Sequence, residues 1–211
     1  MTSIVAVPPA AIATIEKPLR LMIYDTSDRR GLSHSWFIGG ALYQALRRLD
    51  DCAGFDNWFD ALTWISQKAA KERRKISQIQ YWGHGWRGMV SMNGMALRAD
   101  AFQHPVWSKL LSEIRWHLAP DALIWFRTCG TFGGAAGHEF ARAWTTGMNC
   151  RVAAHTHLIG PFQSGLHSLT PRTPPYWPQE EGVEAGSRMA QSSPWRPNTI
   201  TCLHGTLPEG W

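Results

Sequence analysis

Between residues 19 and 155, short apolar stretches of strand length alternate with longer stretches of helical period, and this alternation constrains the fold more than any other feature. Leu19 to Tyr24, Ile76 to Trp82, Leu123 to Cys129 and Cys150 to His155 read as strands, Ile76 to Trp82 being rich in β-branched and aromatic residues, and the first three end at turn formers. Between them lie Ser35 to Leu49, Asn57 to Lys71, Val106 to Leu118 and His138 to Thr146, where apolar residues recur at helical spacing. Phe37, Ala41, Leu42, Ala45, Leu46 and Leu49 form the apolar stripe at helical spacing in the first helix despite Gly39-Gly40, and Gly147 is expected to end the last one. A strand, a helix and a strand in steady succession predict an α/β fold, in which a mostly parallel central sheet has helices on both faces as a three-layer sandwich. A short strand is expected at Ala53 to Phe55, and Asn93-Gly94 between two apolar stretches predicts a tight hairpin after the second long strand.

The ends of the chain break this rhythm. Residues 1 to 17, with Pro8-Pro9, are expected to form an N-terminal arm, and residues 18 to 211 a single domain. Prolines punctuate an irregular segment from 160 to 198, and Thr199 to Leu203 is the one strand expected beyond it. A composition of 44% hydrophobic and 18% charged residues suits a packed domain better than a disordered chain. The start of the chain lacks the basic stretch of a secretory leader, and nothing approaches the ~20 apolar residues of a membrane span, so a cytoplasmic protein without a membrane partner is expected. Four cysteines without a C-x-x-C pair fit reduced thiols rather than a zinc framework. The net charge of +5 comes from scattered cations except in Lys71 to Lys75, which reads as a solvated helix end and not as a nucleic-acid patch.

Two strands stop at glycine-rich turns that carry reactive side chains. Ile76 to Trp82 meets Gly83-His84-Gly85, and Leu123 to Thr128 runs into Cys129 and then Gly130-Thr131-Phe132-Gly133-Gly134. In open α/β sheets reacting groups gather at the carboxyl ends of strands, so His84 and Cys129 are expected at one edge of the sheet. A thiol is a weak nucleophile until a neighbouring imidazole or helix N-terminus raises its thiolate fraction. Gly85 leaves its amide open to a substrate oxygen, and the Cys129 amide is a second candidate donor for an oxyanion hole. The plainer reading of the same residues is a small buried thiol and a hydrogen-bonded turn histidine.

These stretches resemble a family. Gln80-Tyr81-Trp82-Gly83-His84-Gly85, the Met92-Asn93-Gly94 hairpin and Leu97-x-Ala99-Asp100 are similar to the strand, His-Gly turn and hairpin of caspase-like (clan CD) cysteine peptidases, most of all the bacterial CHAT type. Leu123 to Gly130, Gly137-x-x-Phe140-Ala141-x-Ala143, Gly147 and Val152-Ala153-Ala154 are similar to the cysteine strand, its helix and the following strand of that family. The likeness covers residues 76 to 160. It implies a caspase-like fold, His84 as general base, Cys129 as nucleophile, the Gly85 amide in the oxyanion hole, a peptide or protein substrate, a protein partner or activator, and no cofactor. Many members carry an acidic residue or glutamine two positions before the cysteine, whereas this chain has Arg127.

Arg127 on the cysteine strand is expected either to bind an anionic group of the substrate at the position being cut, or to bridge to Asp25 or Asp28. Asp25, His155 and His157 complete the substrate-binding candidates. The tryptophans at 82, 86, 177 and 195 lie in loop-rich surroundings and are candidates for an aromatic ligand wall. Two other readings stay open. His155 and His157 in His155-Thr156-His157 place two imidazoles as a metal-dependent hydrolase would need, with His167 and His138 as further candidate ligands, although no third ligand stands at a recognised spacing, so no metal is assigned. The other reading is a catalytically silent caspase-like domain that binds a partner. The adjacent carboxylates Glu180-Glu181 and Asp50-Asp51 are expected on the solvated surface.

Overall fold

A computed structural model of the chain describes residues 17–28, 31–184 and 187–211. The expected N-terminal arm, apart from Lys17, lies outside the described residues.

The central sheet is built from β1 (Leu19–Asp25), β2 (Asp51–Phe55), β3 (Ile76–Trp82), a longer strand Leu118–Arg127, a fifth strand Arg151–His155 and a sixth, Leu166–Leu169. A small antiparallel sheet, β4 (His84–Trp86), β5 (Met89–Met92) and β6 (Met95–Leu97), follows β3, so the last three strands of the large sheet are β7, β8 and, after the short β9 (Phe162–Gln163), β10. Strand order in the large sheet is β10-β8-β7-β3-β1-β2. All neighbours run parallel except β10, which pairs antiparallel with β8. The helices are α1 (Leu32–Ala45), α2 (Trp58–Glu72), α3 (Pro105–His117) and α4 (Gly134–Met148). The fold is therefore α/β with a mixed, mostly parallel sheet.

Local chemistry explains where these elements start and stop. Asn57 caps α2 by accepting the Asp60 amide at 2.9 Å, and Arg73 closes it in the left-handed region. Asn93 and Gly94, at φ 48° and 77°, make the two-residue turn that joins β5 to β6. Gly147 does not end α4. The helix continues to Met148, and Asn149 supplies the left-handed residue at φ 49°.

The two faces of the sheet are covered differently. Leu21, Ile23, Ile79, Ile124, Phe126 and Val152 pack against α2, α3 and α4, whose buried residues include Trp58, Leu62, Ile65, Leu111, Ile114, Phe140 and Trp144. On the opposite face Met22 and Trp82 meet Tyr43 of α1, while Trp125, Ala153 and Leu166 are covered by Ile200 and the chain that follows it.

The seating of α1 reverses the expected stripe. Phe37, Ile38, Leu42 and Leu46 are exposed, and the helix rests on Gly39 and Gly40 instead. A Cβ on Gly39 would come within 2.7 Å of the Trp82 ring, and one on Gly40 within 3.0 Å of Cys52 Sγ, so bare backbone is the contact surface. Helical period located the helix, but the side that carries Gly39, Gly40 and Tyr43 turned inward.

Beyond residue 160 the chain holds more order than its prolines imply. β10, of sequence Leu166-His167-Ser168-Leu169, is fully buried and completes the large sheet. A small hairpin joins β11 (Val183–Glu184) to β12 (Arg188–Met189), and β13 (Ile200–Thr201) pairs with β9. Among the described residues no helix is long and apolar enough to cross a membrane.

Candidate functional site

Parallel strands β3 and β7 are neighbours in register, with Trp82 opposite Arg127. His84 and Cys129 each stand two residues further on, at the carboxyl ends of these strands, and the next segments approach closely. A Cβ on Gly85 would lie 2.5 Å from Thr131 Oγ1 and 2.7 Å from the Thr128 Cβ. Any larger residue would push β4 away from the turn that carries the thiol. Thr128 and Thr131 fix that turn from inside, their hydroxyls 2.7 Å apart and Thr131 Oγ1 donating to the Met89 carbonyl at 3.1 Å.

The turn is also tied to the end of β8. The Gly130 amide donates to the His157 carbonyl and the Phe132 amide to the His155 carbonyl, both at 3.0 Å. These two amides are committed to β8 and do not serve an oxyanion. Cys129 is half-buried, and its thiol donates to the Ile159 carbonyl at 3.9 Å. Burial pushes this thiol above its ordinary pKa, an effect that the Ile159 contact opposes in part. At rest it is therefore a neutral thiol that needs a base.

His84 is open to solvent, with its side chain 51% exposed. Its Nε2 lies 3.4 Å from Asp28 Oδ2, and the Trp36 ring meets it edge-on at 5.5 Å. Asp28 belongs to the loop after β1. That loop lies at the point where the chain crosses from the β2 side of β1 to the β3 side, the usual position of a ligand crevice in such sheets. Sequence reasoning considered Asp28 only as a neutraliser of Arg127; the signal for its present place was a carboxylate in the turn after a strand that borders the His84 strand.

Other candidate residues are placed away from solvent. Arg127 is 3% exposed and donates to Gln163 Oε1, the Tyr43 hydroxyl and the carbonyls of Cys202 and His204, so it does not reach a substrate. Its bridge to Asp25 or Asp28 is likewise replaced by these neutral acceptors. The reason lies in strand alternation: Arg127 shares its face with Trp125, and the C-terminal segment closes over both. Asp25 is 1% exposed, and its Oδ1 accepts the Ser27 amide at 2.8 Å and the Ser27 hydroxyl at 2.6 Å, so it shapes the loop and does not bind a substrate.

His155 and His157 are buried, which removes them from the substrate-binding candidates as well. Burial, helped by the charge of Arg127, pushes His155 down to about 3, and its Nδ1 faces the Ser164 carbonyl at 3.2 Å. His157 is also held below its usual value by burial, with Nδ1 2.8 Å from Thr156 Oγ1. The two imidazoles meet different partners, and among the described residues no group of three His, Cys, Asp or Glu side chains is arranged to hold a metal. Their carbonyls, not their rings, serve the Cys129 turn.

Glu181 departs from the expected solvated surface. Its Oε1 accepts from Thr156 Oγ1 at 2.8 Å and lies 2.7 Å from His167 Nε2. Trp82 and Trp177 are buried, the latter stacked between Phe132 and His167, so of the four proposed wall residues only Trp86 and Trp195 are exposed.

Fold and site together define an open, mostly parallel α/β domain whose reactive side chains collect at the carboxyl ends of its central strands. The chain belongs to the DUF4347 family, described as a domain of unknown function, which matches residues 41–167. That span contains His84, Gly85, Cys129, His155 and His157 and stops short of β1 and its loop. No curated protein and no solved structure matched the chain.

Proposed function

We propose that this chain is a cysteine peptidase of caspase-like type, with Cys129 as nucleophile and His84 as general base. The observation that carries the reading is the shared register of β3 and β7, which sets His84 and Cys129 at equivalent steps beyond neighbouring strand ends. It is supported by the resemblance in residues 76 to 160, by the antiparallel β4-β5-β6 sheet directly after the His-Gly turn, and by helices on both faces of the sheet.

In this reading the thiol turns from the Ile159 carbonyl toward the imidazole as the substrate enters. His84 takes the thiol proton, and the sulfur forms a bond to the carbonyl carbon of the scissile peptide. Charge develops on that carbonyl oxygen, facing the amides of Gly85 and Cys129, and a single such donor is worth about a hundredfold or more in rate. His84 then hands its proton to the leaving amine as the C–N bond breaks. Water, losing a proton to His84, releases the acyl group and restores the thiol. With Arg127 enclosed, no preference for an anion at the cut position is part of the proposal.

The deciding experiment profiles peptide-library cleavage by the wild-type protein, Cys129→Ala and His84→Ala. Cleavage by wild type that both variants lose supports the reading, and cleavage retained by Cys129→Ala overturns it. A second reading, a silent domain that binds a protein partner, draws on the resting contact between the Cys129 thiol and Ile159. It predicts no cleavage and a Cys129 that iodoacetamide modifies no faster than Cys202.

A further inference from the structure

The loop after β1 reaches the imidazole from the side opposite β7. β1 and β7 flank β3, and Tyr24 of β1 pairs with Trp82, so this loop and the cysteine turn emerge on either side of the His84 backbone. The loop is fixed by its own polar groups. Asp25 Oδ1 holds Ser27, and the Ser33 hydroxyl donates to the carbonyls of Asp25 at 2.9 Å and Asp28 at 3.3 Å. Asp28 is thereby delivered to 3.4 Å from His84 Nε2.

Exposure divides this pair unevenly. The Asp28 side chain is 5% exposed and that of His84 51%, so the carboxylate is sheltered while the imidazole keeps an open edge. A sheltered charge is screened less by solvent and salt than an exposed one. Trp36, edge-on at 5.5 Å, narrows the rotation left to the ring. A carboxylate at Nε2 favours the tautomer with its proton there, which frees Nδ1 as the lone pair that accepts a proton.

Resting on the peptidase reading above, we infer that Asp28 is the positioning residue of the site: it orients His84, selects the Nε2–H tautomer and stabilises the imidazolium formed when His84 takes the Cys129 proton. Asp28 touches neither substrate nor sulfur. Its role is exerted through the ring, in the way that a third group orients the base of a nucleophile–base pair.

Two measurements on the full chain test this. The first is the rate of iodoacetamide modification at Cys129, followed by peptide mass spectrometry across neutral pH, in wild type, Asp28→Asn, Asp28→Glu and His84→Ala. His84→Ala is expected to slow Cys129 by about a hundredfold and Asp28→Asn by about tenfold, the latter with a displaced inflection in the pH profile, and Asp28→Glu to recover part of the rate. A wild-type profile in Asp28→Asn, with His84→Ala still slow, overturns the role of Asp28 alone. An unchanged rate in His84→Ala overturns the peptidase reading itself. The second measurement needs no variant: nitrogen NMR of the His84 ring in the wild-type protein is expected to show the proton on Nε2, and a proton on Nδ1 overturns the inference.

Discussion

Gln163 Oε1 accepts from both Nε and Nη2 of Arg127, at 3.1 and 2.8 Å, in a pocket sealed from water. Among the described residues no carboxylate accepts from this guanidinium; it is surrounded by a side-chain amide, a hydroxyl, main-chain carbonyls and the rings of Tyr43, Trp82 and Trp125. Such an arrangement holds only while every acceptor is supplied. Replacing Arg127 by Met removes the guanidinium from Gln163 Oε1 and from the Cys202 and His204 carbonyls, and the expected loss is on the order of 3 kcal/mol of stability. Urea unfolding measures it, and limited proteolysis should show the segment after residue 200 being cut first.

The inward seating of α1 makes a prediction of opposite signs on its two sides. Gly40→Val drives methyl groups into Cys52 and Met22 and is expected to cost about 1 to 3 kcal/mol. Phe37→Ser and Leu42→Ser, on the outer side, are expected to stay within about 0.5 kcal/mol. Equal losses at both positions in chemical denaturation would mean that the helix presents its apolar side to the sheet.

His155 ties stability to pH. Its folded pKa, lowered by burial and then by the charge of Arg127 to about 3, lies below that of the unfolded chain. The unfolded state therefore binds a proton that the folded state refuses, and the stabilising contribution, complete above the unfolded value of about 6.5, falls by about 1.4 kcal/mol per unit as pH drops toward the folded value. His155→Phe keeps a ring beside Trp125 and removes this proton, so its stability should decline less steeply between those two pH values.

Glu181 acts on the same acid limb at lower pH. Burial alone would raise its carboxyl, but the hydrogen bonds from His167 and Thr156, together with the neighbouring imidazoles, bring it below the usual range. Its contribution is present above the unfolded carboxylate value and is lost as pH falls through the folded one. Glu181→Gln should make proteolysis of the segment between β10 and β13 rise less steeply as pH falls through the carboxylate range than it does in the wild type.

Cysteine chemistry discriminates among the four thiols. Burial pushes Cys150 up to about 12, and it sits against the core under β8. It should remain unmodified by iodoacetamide in the native protein and react only after unfolding. Labelling of Cys150 as fast as that of Cys129 would show that this part of the core opens readily.

The strands of the parallel sheet were legible because a strand buried on both faces is written as a nearly continuous apolar run, and Ile76–Trp82 was read to the residue. β10 was not, since four residues including His167 and Ser168 carry no strand signal until their neighbours bury them. The faces of α1 were misread because periodicity counts apolar side chains and cannot register the share of a packing surface that Gly39 and Gly40 supply. Arg127 was misread for a related reason. Whether it met solvent depended on residues 163 and 201 to 204, remote in sequence and in a stretch without periodicity. The Thr128–Thr131 pair and the carbonyls of His155 and His157 escaped notice because nothing in a sequence marks a main-chain acceptor.

The enclosure of Arg127 also sets an order on the making of this protein. Tyr43 near the start, Arg127 in the middle and the carbonyls of Cys202 and His204 near the end join in one network, in which the Tyr43 hydroxyl donates to both carbonyls, at 2.8 and 2.6 Å. A nascent chain emerging from the ribosome can stack β1 to β8 and the three-helix layer as each appears, yet the strand that delivers the cysteine carries a guanidinium that lacks its last acceptors until residue 204 is out. Contacts so distant along the chain form late. A chain interrupted before that residue would hold His84 and Cys129 on strands that have no finished wall behind them.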